Sequence, residues 1–197
     1  MAQSTSVRAS EELLSATVEV LADTLGLRDG ETRDHCTRVV ELAGRLGRRL
    51  GLSDEELREL TYAARVHDIG KVGVPDAILY KPGPLDELEA ELLHEHSGWG
   101  AELVDRIPGL EHVAEIVRHH HERFDGRGYP DGLEADESPL ESRILAVADA
   151  YVAMNEDRPY RRALSPQGVA GELEAGRARQ FDPVVVDALE AELPLQR

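Results

Sequence analysis

The chain has 197 residues, and it is short of several residue types whose scarcity excludes whole classes of protein. Cys36 is the only cysteine, so no disulfide can form within the chain, which suits a reducing compartment. No apolar run approaches the roughly 20 residues that cross a bilayer. The N-terminal residues also lack the apolar stretch of a secretion signal. We therefore expect a cytoplasmic protein with no membrane partner.

Positive charge is also scarce. The 22 lysines and arginines face 39 aspartates and glutamates, which gives a formal net charge of −17. A chain this acidic has no spare cations to displace counterions from a nucleic-acid backbone, so we exclude nucleic-acid polymers as partners. A small anionic ligand is compatible with this charge where bound metal ions reverse it locally. Lysine is nearly absent, and Lys71 and Lys81 are the only two.

The apolar residues predict an all-α fold. They make up 41% of the chain and aromatic residues only 4%, so the core must be mainly Leu, Val, Ala and Ile. Their spacing is helical, and no alternating stretch is long enough to indicate a sheet. Ser53 with Glu56 is a capping box that begins one of the helices. We predict helices over about 11–25, 31–50, 53–70, 85–105, 110–120, 140–156, 166–176 and 183–193. Residues 31–197 then form one domain, which follows a tail and short helical extension over 1–30.

Two pairs of adjacent residues at predicted helix ends carry metal-binding chemistry. They are His67-Asp68 and His120-His121. Imidazole nitrogens and carboxylate oxygens suit iron, manganese, zinc and related ions. At a helix end, the backbone can direct two adjacent side chains at one ion. The two pairs together therefore point to a hydrolase built around a cluster of metal ions.

Four further residues fit the same site. Glu31 and His35 are four residues apart and project from one helical face. His96 lies on the helix after a proline-rich loop. Asp149 lies in a mostly apolar helix, where a lone carboxylate is costly unless it is paired or binds metal. Each alone has a simpler explanation as a surface histidine, a helix-stabilising acid or an ion pair. Jointly they favour a metal site.

The chain resembles the HD-GYP domains, a branch of the HD metal-dependent phosphohydrolases. The resemblance covers about Glu31 to Leu193, and its motifs occur in the family's order. The matching segments are HDIGKVGVPDAIL, KPGPLDELE, HHHERFDGRGYPDGL, ILAVADAY, DRPYRRALSP and FDP. The resemblance implies an all-α helical bundle of the HD-domain type with a buried metal cluster.

The resemblance also implies which residues bind the metals. The implied ligands are Glu31, His35, His67, Asp68, His96, His120, His121 and Asp149. His67, Asp68 and Asp149 would belong to the two-metal core that HD hydrolases share. A glutamate at the position of Glu31 joins the ligands in family members that hold three metals. The implied cofactors are therefore two or three divalent ions, mostly iron or manganese in the family.

Further matches imply catalytic and substrate-binding roles. Lys71 matches the family lysine that reaches the scissile phosphate, and Asp68 would orient the nucleophile. Tyr129, Arg158 and Arg161 match positions that contact a dinucleotide. The implied activity is hydrolysis of cyclic di-GMP, a bacterial second messenger, to linear pGpG, GMP or both. A hydroxide bridging two metal ions would be the nucleophile.

The sequence leaves other functions and partners open. One alternative is a catalytically weak signalling module that binds cyclic di-GMP or a partner protein. Another is an HD phosphohydrolase for a different nucleotide. A regulatory protein could be a partner. The N-terminal extension could be a helix through which two copies of the chain dimerise, or it could pack on its own core.

One segment departs from the family pattern. The family usually reads A-D-x-[FY]-D-A-[LM] through the helix of Asp149, and here Val152 replaces the second aspartate. Asn155 and Glu156 replace the usual small polar pair that follows. The first aspartate is the implied ligand, so we expect metal binding to survive. The change puts the support of that helix, or of the substrate loop, in question, and it keeps the weakly catalytic alternative open.

Overall fold

A computed structural model describes residues 2–28, 33–157 and 162–193. Within these ranges the chain is helical, with two isolated β-bridges and no strand, so the all-α prediction is confirmed. The α-helices are α1 (Ala2–Gly26), α2 (Arg33–Arg49), α3 (Asp54–Val66), α4 (Asp76–Leu79), α5 (Glu87–Asp105), α6 (Glu111–His119), α7 (Leu140–Met154), α8 (Pro166–Gly176) and α9 (Pro183–Glu192). Two 3-10 turns lie at Ile69–Gly73 and Ala135–Glu137.

Local sequence signals begin several of these helices. The predicted capping box at α3 is confirmed, because Glu56 N donates to Ser53 Oγ at 3.3 Å and Ser53 N donates to Glu56 Oε2 at 2.7 Å. Asp86 and Glu89 form the same reciprocal pair at the start of α5. Proline occupies the first turn of α8 and α9, where its missing N–H leaves no helical hydrogen bond unmade.

Two segments differ from the prediction. The first helix was expected from about Glu11, whereas α1 begins at Ala2, because no glycine or proline interrupts residues 2–25. The proline-rich stretch over 72–84 was expected to be a loop. It contains the end of one 3-10 turn and the single turn of α4, which are too short to leave an apolar period in the sequence.

All of the described α-helices except α4 share one core of mainly aliphatic side chains. Helix α2 packs against α3 and α7, and α5 packs against α6. Val18 and Leu25 of α1 are buried in this core. The division of the chain near residue 30 stays a prediction. Among the residues that the structure describes, no helix is long and apolar enough to cross a membrane.

A close backbone contact joins the segment after α3 to α5. A Cβ atom built at Gly70 would lie 1.9 Å from the carbonyl oxygen of His96 and 2.6 Å from Gly100 N. Only glycine allows this approach, so the 3-10 turn that follows Asp68 lies directly on α5. The contact brings the His67-Asp68 pair to the helix that carries His96.

Candidate metal centre

Asp68 lies in the middle of a buried group of nitrogen and oxygen atoms. Asp68, His96, His120 and His121 each offer one ligand atom, and these atoms lie within 4.8 Å of one another. The side chain of Asp68 links α3 to α5, because its Oδ1 atom is 3.3 Å from His96 Nε2. The structure therefore brings residues from α5 and from the end of α6 to the His67-Asp68 pair.

A second group adjoins the first. Its members are His35 of α2, His67 at the end of α3 and Asp149 of α7, and their ligand atoms also lie within 4.8 Å of one another. His35 Nε2 is 3.2 Å from Asp149 Oδ1. His67 Nε2 is 3.3 Å from Asp68 Oδ2, so adjacent residues connect the two groups. Two such groups side by side can hold a pair of ions.

Backbone carbonyls fix the orientation of three of the imidazoles. In each, the Nδ1 atom lies within hydrogen-bonding distance of the carbonyl oxygen three residues earlier: 3.0 Å for His67, 2.6 Å for His96 and 2.6 Å for His120. A neutral imidazole that donates its Nδ1–H to a carbonyl has its free lone pair on Nε2. This tautomer can bind a metal ion through Nε2.

The donor atoms fit a metal cluster. Among the described residues, the buried Nε2 atom of His120 has no hydrogen-bond partner, and that of His96 faces Asp68 Oδ1 at 3.3 Å without a well-formed hydrogen bond. A buried polar atom without a partner is costly, and a metal ion at this point would satisfy both nitrogens. The nitrogen and carboxylate donors are also the types that divalent transition metals prefer.

The electrostatics of the site favour the protonation states that metal ligands need. Burial, together with the neighbouring histidines, lowers the pKa of His121 to about 3 and that of His120 well below its usual value. Burial raises the pKa of Asp68, but Lys71 and His67 outweigh it and hold that pKa well below its ordinary value. Burial also opposes ionisation of Asp149, yet its hydrogen bond with His35 lowers the net pKa. Neutral imidazoles and ionised carboxylates are ready to bind metal.

Lys71 lies at the edge of this centre. Its Nζ atom donates to Asp68 Oδ2 at 2.8 Å, and its side chain is 16% exposed. The ammonium group is therefore beside the donor atoms and reachable from solvent. A cation at this position can interact with an anion bound at the centre.

The GYP segment, residues 128–133, lies beside the centre through Tyr129. The phenol ring stacks on the exposed ring of His94, with centroids 3.9 Å apart and an angle of 12° between the planes. Its centroid is 4.8 Å from that of His121. Burial raises the pKa of Tyr129, so its hydroxyl stays protonated. Sequence reasoning assigned His94 no role, because a histidine on a polar helix face gives no sign of a partner in a distant loop.

Glu122 holds the GYP segment in place, and sequence reasoning missed it. Its buried carboxylate accepts hydrogen bonds from Asp131 N at 2.7 Å, Gly132 N at 3.0 Å and Leu133 N at 3.1 Å. Tyr129 N donates to His121 O at 3.3 Å. An acid after the histidine run gives no sign of this role in the sequence, because no residue pattern specifies the path of the loop backbone that it binds.

Asp131 ties the same segment to α6. Arg118 donates two hydrogen bonds to its carboxylate, both at 2.7 Å, and His119 Nε2 lies 3.0 Å from Oδ2. His119 was assigned no role from the sequence, and here it contacts the loop instead of the metal site. The loop that carries Tyr129 is thus fixed from two sides.

Some predicted site residues and partners stay predictions. Glu31, Arg158 and Arg161 lie outside the described residues, so the third metal ion and the arginine contacts to substrate rest on the sequence alone. A homodimer or a regulatory protein partner is likewise a prediction. Val152 is buried in the apolar core.

A helical bundle with buried, adjoining histidine and aspartate groups defines a metal-binding domain of the HD type. The family model described as HD domain matches residues 12–185. The chain belongs to this family, and its GYP segment and its closely similar relatives place it in the HD-GYP branch.

Named relatives and solved structures agree with this assignment. The chain is 42% identical over 181 residues to "Cyclic di-GMP phosphodiesterase response regulator RpfG" of Xanthomonas campestris, covering 91% of this chain and 48% of that protein. It is 36% identical over 171 residues to "3'3'-cGAMP-specific phosphodiesterase 2" of Vibrio cholerae, covering 86% and 33%. The crystal structure of a cyclic GMP-AMP specific phosphodiesterase of Vibrio cholerae matches with a TM-score of 0.70 at 19% identity, covering 92% and 49%. The chain spans half or less of the length of these proteins.

Proposed function

We propose that the chain is a metal-dependent phosphodiesterase that hydrolyses cyclic di-GMP to linear pGpG, GMP or both. The observation that carries the proposal is the pair of adjoining donor groups that meet at His67 and Asp68. The name and high identity of the Xanthomonas relative support cyclic di-GMP as the substrate.

The donor groups suggest how the metals are held. Asp68, His96, His120 and His121 would hold one ion, and His35, His67 and Asp149 a second. Glu31 would serve a third ion. We propose iron or manganese, the metals that the resemblance to HD-GYP domains implies, and the imidazole and carboxylate donors are compatible with both. When bound, such ions polarise the phosphate and lower the pKa of a water molecule.

The chain itself supplies charge and substrate contacts. Lys71 lies 2.8 Å from Asp68, so its ammonium can offset the negative charge that grows on the phosphate oxygens in the transition state. The ring of Tyr129 forms part of the wall beside His121, where the dinucleotide would lie. Arg158 and Arg161 would bind its phosphates, since a guanidinium group matches phosphate geometry.

The experiment is to purify the protein without oxygen, load it with iron or manganese, and add cyclic di-GMP. Chromatography then separates cyclic di-GMP, pGpG and GMP. We expect turnover by the wild-type protein and loss of both metal and turnover when His67 and Asp68 are replaced by Ala. His112→Ala is the control, because His112 lies on α6 outside both donor groups and pairs with Glu115. Intact cyclic di-GMP with metal bound would contradict the proposed substrate.

A second candidate is hydrolysis of 3'3'-cGAMP. The observation that favours it is the 36% identity to a Vibrio cholerae enzyme named as specific for that dinucleotide. The two substrates differ in one base. The proposed metal centre would act on the phosphates, which both substrates contain, so it does not distinguish them. A panel of cyclic di-GMP, 3'3'-cGAMP and cyclic di-AMP, compared by kcat/KM, separates the two candidates.

A third reading is a signalling module that binds cyclic di-GMP with little turnover. Val152 in place of the family's aspartate is the observation that keeps it open. Binding of cyclic di-GMP to the metal-loaded protein without product formation would favour it. In that case Val152→Asp is the first substitution to test for a gain of turnover.

A further inference from the structure

The ring of His35 lies between two carboxylates. Its Nε2 atom is 3.2 Å from Asp149 Oδ1, on the side of the second donor group. Its Nδ1 atom is 2.8 Å from Glu156 Oε2, on the opposite side of the ring. The other fixed imidazoles of the centre use backbone carbonyls for this second contact. His35 is thus held by a side chain that lies 121 residues later in the sequence.

Glu156 is itself held in place from α2. Arg38 Nη2 donates to its Oε1 atom at 2.5 Å, while Oε2 faces His35. The two carboxylate oxygens therefore have separate partners on one face of α2. Glu156 belongs to neither group of candidate ligands, so its carboxylate lies behind the ring and not among the donor atoms.

We propose that Glu156 is a positioning residue for His35. It accepts the Nδ1–H of the ring, which fixes the tautomer and leaves the Nε2 lone pair free for the ion that His35 and Asp149 would hold. A carboxylate in this place also makes the imidazole a stronger donor than a carbonyl would. The inference rests on the proposed metal-dependent function, because it assigns His35 to that metal centre.

The sequence around α7 is consistent with this role. Val152 stands where the family pattern has a carboxylate, and its apolar side chain is buried in the core. Glu156 lies four residues later, where the pattern has a small polar residue. Its N–H still reaches Ala153 O at 3.4 Å, so the chain continues the turn just past Met154. The acid Glu156 thus lies about one helical turn after the position of the family's aspartate, and it contacts the candidate ligand His35.

The test measures metal binding without nucleotide. Mn²⁺ is titrated into the metal-free wild type and into Glu156→Ala, Glu156→Gln and a control, with free Mn²⁺ followed by electron paramagnetic resonance. Glu156→Ala should weaken one Mn²⁺ site by about 10- to 100-fold, the usual effect of removing a group that orients a ligand. Glu156→Gln keeps an oxygen that accepts the Nδ1–H, so its Mn²⁺ affinity should fall much less than that of Glu156→Ala.

Glu192→Ala is the matched control. Glu192 also joins a late helix to α2 through arginines, at 3.7 Å from Arg45 and 3.8 Å from Arg49, and it is similarly half-buried. Within the described part of the chain its ion-pair partners are these two arginines, neither of which is a candidate ligand, so the Mn²⁺ affinity of Glu192→Ala should equal that of the wild type. Thermal unfolding of each variant shows that the comparison is made between folded proteins.

A second measurement reports on the ring itself. With Zn²⁺ as a diamagnetic probe, long-range ¹H–¹⁵N spectra should show His35 protonated at Nδ1 in the wild type and in Glu156→Gln. Glu156→Ala should alter this signal while the signals of His96 and His120, which use carbonyl acceptors, stay unchanged. A merely structural role for Glu156 would not single out one ring.

Two results would overturn the proposal. One is Mn²⁺ affinity in Glu156→Ala equal to that in Glu192→Ala, with the His35 signal unchanged. The other is an equal loss of Mn²⁺ affinity in Glu156→Ala and Glu156→Gln, because an oxygen that accepts the Nδ1–H would then not be what His35 requires. Because no nucleotide is used, failure to hydrolyse cyclic di-GMP leaves a positive result standing. A negative result likewise leaves the proposed hydrolysis standing.

Discussion

Gly70 lies against the backbone of His96, so closely that a methyl group on it would be 1.9 Å from the carbonyl oxygen. The obstacle is backbone and cannot move aside as a flexible side chain would. The distance between the His67-Asp68 pair and α5 therefore depends on the absence of a side chain at this position.

We predict that Gly70→Ala separates Asp68 from His96 and lowers both metal content and stability. Overpacking of this kind costs about 1–3 kcal/mol in the free energy of unfolding. Gly83→Ala is the control, because a Cβ at Gly83 meets nothing within 4 Å. Metal analysis and urea unfolding compare the two variants. Full metal content in Gly70→Ala would show that the close approach does not position the ligands.

The sequence predicted where the candidate residues lie along the helices better than it predicted how they are held. His67-Asp68 and His120-His121 stand at helix ends as expected, because the motifs and the helical periods are local features. The extent of α1 and the short helices near Ile69–Gly73 and Asp76–Leu79 were missed, since neither leaves a distinctive pattern.

The supporting residues could not be found from the sequence for a different reason. Glu122 binds the N–H groups of a loop whose backbone path no residue pattern specifies. Glu156 contacts a histidine far away in the chain, and His94 finds Tyr129 only after the loop has folded. Each of these contacts is a product of tertiary packing, which single-sequence patterns do not encode.

Glu122 offers a test of the loop. We predict that Glu122→Ala raises KM while metal content stays near that of the wild type, because Tyr129 loses its fixed position. Each N–H left unsatisfied costs about 1–3 kcal/mol, so stability should fall as well. Glu111→Ala is the control, since Glu111 accepts from Gly109 N on the exposed surface, away from the loop. An unchanged KM in Glu122→Ala would show that substrate binding does not depend on the hydrogen bonds that Glu122 makes to the loop.

Asp131 gives the loop contact a pH dependence. The hydrogen bonds from Arg118 lower the pKa of this carboxyl below the unfolded value of about 3.9. A lowered pKa stabilises the folded state above the unfolded pKa, and that stabilisation is lost as the pH falls through the lowered value. Because both side chains are more than a third exposed, we expect less than about 1 kcal/mol.

Asp131→Asn should therefore have a lower free energy of unfolding than the wild type at pH 7, and this difference should disappear in acid. Urea unfolding at a series of pH values measures the difference. Asp105→Asn, which removes an exposed acid at the end of α5, is the control for net charge. A gap that stays constant down to about pH 2 would mean that the Arg118 pair does not contribute through ionisation of Asp131.

The two lysines of the chain provide a matched pair of variants for the last prediction. Lys71 donates to Asp68 at the centre, whereas Lys81 pairs with Glu89 at the start of α5, and Glu89 belongs to neither donor group. We predict that Lys71→Met lowers kcat by about 100-fold or more, as loss of one transition-state contact does, while KM changes little. Lys81→Met should behave as the wild type.

Metal content decides how Lys71 acts. If Lys71 contacts the phosphate, the bound metal should stay constant while kcat falls, because the candidate ligands are intact. Metal loss in proportion to activity would instead show that the ammonium serves to hold Asp68 in place. A kcat equal to that of Lys81→Met would remove Lys71 from the reaction altogether.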